Sequence, residues 1–112
     1  MKILSIMTMD PTAIQTPSPG EMERMGNLIE EMKRNGALID TGGAMPGSLE
    51  MTVARKNGSY SITDGPFAEA KEVIGGFALL EVSGREEAIA FTRQFLDLVG
   101  DATCHLHEVT PP

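Results

Sequence analysis

At 112 residues the chain is sized for one domain, which would bury roughly two thirds of the surface its unfolded form exposes. Apolar residues make up 41% and charged residues 22%, the balance of an ordinary globular protein rather than a disordered or fibrous one. A net charge of −7, from 16 acidic and 9 basic residues with no Lys/Arg cluster, argues against direct nucleic-acid binding. Cys104 is the single cysteine, so no internal disulfide can form, as suits a reducing compartment. The Ile3 to Met7 run is too short for the apolar core of a signal peptide, and no stretch nears the ~20 apolar residues of a membrane span. The expectation is a cytoplasmic protein without a membrane partner.

Lys2 to Met9 carries Ile3, Leu4, Ile6 and Met7 and reads as a strand covered on both faces, ended by Asp10-Pro11. Thr12 to Pro19 is a loop. Ser18-Pro19-Gly20-Glu21 then forms a capping box with Pro at the first helical position. Met22, Met25, Leu28, Ile29 and Met32 recur at helical spacing, and Asn35-Gly36 closes the helix. Ala37 to Thr41 is a short second strand, followed by bends at Gly42-Gly43 and Pro46-Gly47. Asn57-Gly58 lies between two alternating arms, Glu50 to Lys56 and Ser59 to Thr63, and predicts a two-residue hairpin turn with positive φ. Gly76 to Val82 is another nearly continuous apolar strand. Ser83-Gly84-Arg85-Glu86 repeats the capping pattern before a helix whose apolar stripe is Ala88, Ile89, Phe91, Phe95, Leu96 and Val99. Gly100 stops that helix, and Thr103 to Val109 is the last strand. With four Phe, one Tyr and no Trp, the eight Met take over part of the filling role, and Met also suits adaptable binding surfaces.

The most particular stretch is Asp64-Gly65-Pro66-Phe67-Ala68-Glu69-Ala70-Lys71-Glu72-Val73-Ile74-Gly75-Gly76-Phe77. Asp-Gly-Pro forces a change of direction, because Asp folds onto nearby amides, Gly tolerates positive φ and Pro fixes its own φ. Asp64-Gly65-Pro66-Phe67, followed by Glu69, Lys71-Glu72 and Gly75-Gly76, resembles the signature of YCII-related proteins of the DGPF-domain type. The resemblance runs over nearly the whole chain. It implies a homodimer with sheets face to face, and it permits a protein partner in transcription control, since such proteins are often encoded beside extracytoplasmic-function sigma factors.

The element order is strand, helix, strand, inserted hairpin, strand, helix, strand. Two β-α-β halves predict a ferredoxin-like α+β sandwich with both helices on one sheet face. The other face is left bare, and a second copy would cover it.

Asp64 either sets its own turn or stands at a cleft mouth as acid, base or ligand anchor. Phe67 reads as core or interface or as a ring that stacks on a ligand; Glu69 and Lys71, two apart, do not face each other on a helical turn and read as a solvated or contact face or as binding groups. His105 and His107 alternate onto one face of the last strand, where they line a polar strip or seam, and His107 would serve as general base if that strip is a cleft. His-x-His on a strand can supply two metal ligands, with Asp10 or Glu108 as a third. Glu108, however, alternates to the opposite face and the closer ligand spacing of a zinc site is absent, so no metal site is expected. Cys104 also alternates away and reads as a core residue. No phosphate-binding glycine pattern occurs, and no cofactor is expected. The YCII relatives with a suspected catalytic His–Asp pair carry the His in the N-terminal half; this chain has no His before position 105, so that role does not transfer. The combined reading is a dimer that binds a small molecule in a polar cleft. The alternatives are a cofactor-free enzyme that moves a proton with Asp64 or His107, and a protein-interaction module whose acidic surface suits a basic partner.

Overall fold

Asp10 shows how tightly the first strand is stopped. Its Oδ1 accepts from the Thr12 backbone N–H at 2.8 Å and from the Thr12 hydroxyl at 2.7 Å, folding the chain into a short 3-10 turn, Pro11–Ala13. The computed structural model describes residues 1–13, 16–44, 49–65 and 72–112, and the elements below are those of these residues. Strand β1 is Lys2–Met9 and helix α1 is Pro19–Arg34. Strand β2 is Leu38–Gly43, β3 is Met51–Lys56 and β4 is Ser59–Asp64. Strand β5 is Val73–Glu81, helix α2 is Arg85–Val99 and β6 is Thr103–Glu108.

Helix α1 starts as its sequence dictates: the Ser18 hydroxyl accepts from the Glu21 N–H at 3.2 Å, with Pro19 in the first turn. Helix α2 starts differently. Gly84 is its cap and offers no side chain, while Glu87, not Glu86, reaches back to Ser83, accepting from its N–H and its hydroxyl at 3.2 Å each. Asn57 at φ 52 and Gly58 at φ 80 make the expected hairpin turn between β3 and β4. Gly42-Gly43, expected as a bend, instead extends β2, because both glycines pair with β5, Gly42 opposite Phe77 and Gly43 opposite Gly76. Pro46-Gly47 lies outside the described residues.

The main sheet has the order β2-β5-β1-β6, every pair antiparallel, while β3 and β4 form a separate two-stranded sheet. Strands joined through a helix (β1 to β2, β5 to β6) are split by one intervening strand, as in two interlocked β-α-β units. This is an α+β architecture with two helices, consistent with the ferredoxin-like arrangement.

Register assigns the faces, since directly opposed residues share one. Ile3 lies opposite Leu80, Ser5 between Ala78 and Leu106, and Met7 between Gly76 and Cys104. This face meets the helices: Ile3, Leu38 and Leu80 bury against Met32 of α1 and Ala88 of α2, with Leu28, Ile29 and Phe91 packed around them. Each fully covered Ile or Leu contributes about 1.5–3 kcal/mol. The core is small: among the described residues only Ile3, Met32, Ala37, Leu38, Leu80, Val82 and Ala88 are buried apolar ones. Met22, at the start of the α1 stripe, stays 60% exposed.

The hairpin presents Met51, Val53, Ile62 and Tyr60 on one side, with the Arg55 guanidinium 5.8 Å from the Tyr60 ring centre, and Thr52, Ala54, Lys56, Ser59, Ser61 and Thr63 on the other. All twelve strand residues are exposed. A Gly58→Val substitution forces a β-branched residue to positive φ and is expected to cost about 1–2 kcal/mol of local hairpin stability. Native-state hydrogen exchange checks this: the amides of β3 and β4 should exchange several-fold faster, and unchanged rates would refute it.

Candidate functional site

The face of the main sheet away from the helices carries Leu4, Ile6 and Thr8 from β1, Leu79, Phe77 and Ile74 from β5, and His107, His105 and Thr103 from β6. The register explains its membership: Leu4 lies between Leu79 and His107, Ile6 between Phe77 and His105, and Thr8 between Ile74 and Thr103. An extra residue in β5 beside Met7 and Thr8 shifts the register, bringing Ile74 rather than Gly75 opposite Thr8. Leu4, Ile6 and Leu79 are half-buried by their neighbours, whereas Phe77 is 41% and Ile74 53% exposed.

Within this apolar strip three polar side chains join. The Thr8 hydroxyl donates to Glu72 Oε2 at 3.3 Å, and the same oxygen lies 3.1 Å from His105 Nε2. A hydroxyl has one proton; with that proton on Glu72, Thr8 must accept from Nε2–H. Neutral His105 is then held in the Nε2–H tautomer, and its Nδ1 keeps a lone pair for another group. His107, opposite Leu4 on the same face, makes no side-chain hydrogen bond among the described residues.

Asp64 belongs to the other sheet. It ends β4 opposite Met51, is exposed, and is followed by the Gly65 N–H donating to the Glu50 carbonyl at 2.9 Å. Strand pairing therefore unites His105 and His107 but does not bring Asp64 to them. Phe67, Glu69 and Lys71 lie outside the described residues. Thr8 and Glu72 are the participants that sequence reasoning passed over; a lone Thr inside the apolar first strand is the one signal that points to them. Among the described residues no three His, Cys, Asp or Glu side chains are grouped to hold a metal ion, and no helix is long and apolar enough to cross a membrane.

Cys104 faces the helices. Burial pushes its thiol up from the ordinary value near 9.0, opposed by a hydrogen bond with Ser5. The folded protein thus holds that proton more tightly than the unfolded chain does. Its contribution to stability is complete below the unfolded value and is lost as pH rises past about 9 through the folded value. Iodoacetamide at pH 8 is expected to alkylate Cys104 several-fold more slowly than a free cysteine, with mass spectrometry as readout; a rate equal to the free thiol would refute the shift.

A split β-α-β sheet with two helices on one face and a polar triad within an apolar strip on the other defines a small α+β domain whose open face is its distinctive surface. The chain belongs to the YCII-related family: the family's domain model matches residues 1–95. It is similar to an uncharacterized protein of Rhizobium meliloti (strain 1021), with 30% identity over 88 residues that span 75% of this chain and 71% of that protein.

Proposed function

We propose that the chain acts as a homodimeric small-ligand-binding domain, two copies packing their open sheet faces together around a polar cleft. The observation that carries this reading is the Glu72–Thr8–His105 set lying inside an exposed apolar strip. Leu4, Ile6, Phe77 and Leu79 of two sheets supply a dry contact of the kind that stacked sheets make ~10 Å apart. Covering the strip takes the triad out of water, where unpaired polar groups are costly. Thr8 satisfies one side of His105, leaving Nδ1 and the carboxylate of Glu72 to meet a ligand that donates hydrogen bonds. The −7 charge of each copy disfavours an anion there and fits a neutral or cationic molecule.

The same set favours a second reading, proton transfer without a cofactor. Its base is then His105 through Nδ1, since Thr8 fixes that ring, rather than the more loosely placed Asp64 or His107.

Sedimentation equilibrium at micromolar concentration is expected to give twice the 12.0 kDa chain mass. A stable monomer would overturn the assembly. In the dimer, a panel of small amines and amides should move the ring resonances of His105, and Thr8→Val should abolish the effect. A dimer whose His105 ignores the whole panel would overturn the cleft.

A further inference from the structure

On the opposite side of the sheet from that cleft, beneath α1 and α2, lies a cavity of about 320 Å³. We propose that it is a second ligand site, built for an uncharged, flat hydrocarbon-like molecule of about two to three rings.

Size is the first argument. An engineered apolar cavity of roughly 150 Å³ stays dry and takes up benzene, so this space accepts a molecule about twice as large. The cavity is partly open to solvent, so a molecule of this size can enter without the fold opening.

Chemistry is the second. Met7 comes from β1, Met25 and Met32 from α1, and Phe91 and Phe95 from α2, so thioethers and ring edges surround the space. No Asp, Glu, Lys, Arg or His lines it among the described residues. Two of the three hydroxyls at its wall are already committed: Thr41 donates to the Phe77 carbonyl at 2.8 Å, and Thr92 to the Ala88 carbonyl at 2.8 Å. The Cys104 thiol, which burial keeps protonated, adds no charge. A charged ligand would meet no partner there, and water would find too few.

The third argument is Gly43. It lies opposite Gly76, which is opposite Met7, and so belongs to the cavity face of the sheet. A Cβ built at Gly43 comes no closer than 3.9 Å to the nearest described atom, the Gly75 carbonyl oxygen, and the backbone there needs no positive φ. Glycine weakens a strand, and here neither conformation nor a tight approach among the described residues demands it. What its missing side chain leaves is room at the cavity wall.

Two fluorescent probes of one skeleton test the proposal: neutral N-phenyl-1-naphthylamine and its sulfonate, 1-anilinonaphthalene-8-sulfonate. The neutral dye is expected to bind at micromolar concentration and the sulfonate at least tenfold more weakly. Gly43→Val, which puts a side chain into the space, should weaken the neutral dye at least tenfold without lowering the melting temperature. Ile74→Glu, at an exposed position of the open face that does not line the cavity, should leave its affinity unchanged. In the unaltered protein the dye should give nuclear Overhauser contacts to the ε-methyls of Met7, Met25 and Met32, a readout that does not depend on any variant folding. Equal affinity for the sulfonate, contacts to Leu4 or Ile6 instead, or loss of binding with Ile74→Glu but not Gly43→Val would each overturn the site. None of these outcomes bears on dimerisation, so this site and the open-face cleft fail separately.

Discussion

Gly76→Ala is expected to destabilise the fold by about 2–3 kcal/mol, lowering the melting temperature by on the order of 10 °C. Gly76 is buried in β5 and pairs on one side with Met7 and on the other with Gly43. A Cβ there would lie 2.7 Å from the Gly42 carbonyl oxygen and 3.5 Å from the Gly43 Cα. Both are backbone atoms of a paired strand, so relief requires pulling β2 away from β5 and weakening their ladder. Gly75→Ala is the informative contrast. Its Cβ would also come to 2.7 Å of a neighbour, but that neighbour is the Met7 methyl, the free end of a flexible chain that can rotate aside. Chemical denaturation of both variants should rank Gly76→Ala as the costlier by at least 1 kcal/mol. Equal costs would show that β2 shifts freely and that the glycine pair is not what fixes the sheet edge.

That pair also marks where the sequence is hard to read. Gly-Gly after a short apolar strand is ordinarily a turn signal, and only the presence of a second glycine pair across the ladder turns both into strand. Tertiary pairing overrode local preference. By contrast β1, α1, the hairpin and α2 announce themselves locally, through a two-faced apolar run, the Ser18 cap, the Asn57-Gly58 turn and the stripe from Ala88 to Val99. These signals act within a few residues and need no knowledge of the rest of the chain. The alternation that put His105 and His107 on one face and Cys104 and Glu108 on the other agrees with the register of β6 for the same reason. The triad is of another kind. Thr8 is 64 residues from Glu72 and 97 from His105, and nothing in either neighbourhood encodes the meeting. It exists because β1 is central and β5 carries one extra residue, which no spacing rule reports. The cavity is likewise set by how the helices sit over the sheet.

Phe77→Glu is expected to convert the proposed dimer to a monomer at micromolar concentration, a loss of affinity of 100-fold or more. Phe77 sits midway along the open face, opposite Ile6 on one side and Gly42 on the other. Its ring edge passes 2.8 Å from where a Gly42 Cβ would be, so the missing side chain lets the aromatic ring lie across β2. In a two-fold assembly each copy presents this ring to the same seam, and one substitution therefore acts twice. A carboxylate held in such a seam without a partner loses its hydration at a cost of several kcal/mol, and about 2.7 kcal/mol already corresponds to 100-fold. In the isolated chain Phe77 is 41% exposed, so the glutamate can reach water and the monomer should keep its fold. Sedimentation together with circular dichroism separates the outcomes. A folded monomer bears out the seam, whereas a folded dimer would move the contact elsewhere, with the apolar side of the hairpin (Val53, Tyr60 and Ile62) next in line as the exposed surface that two copies share.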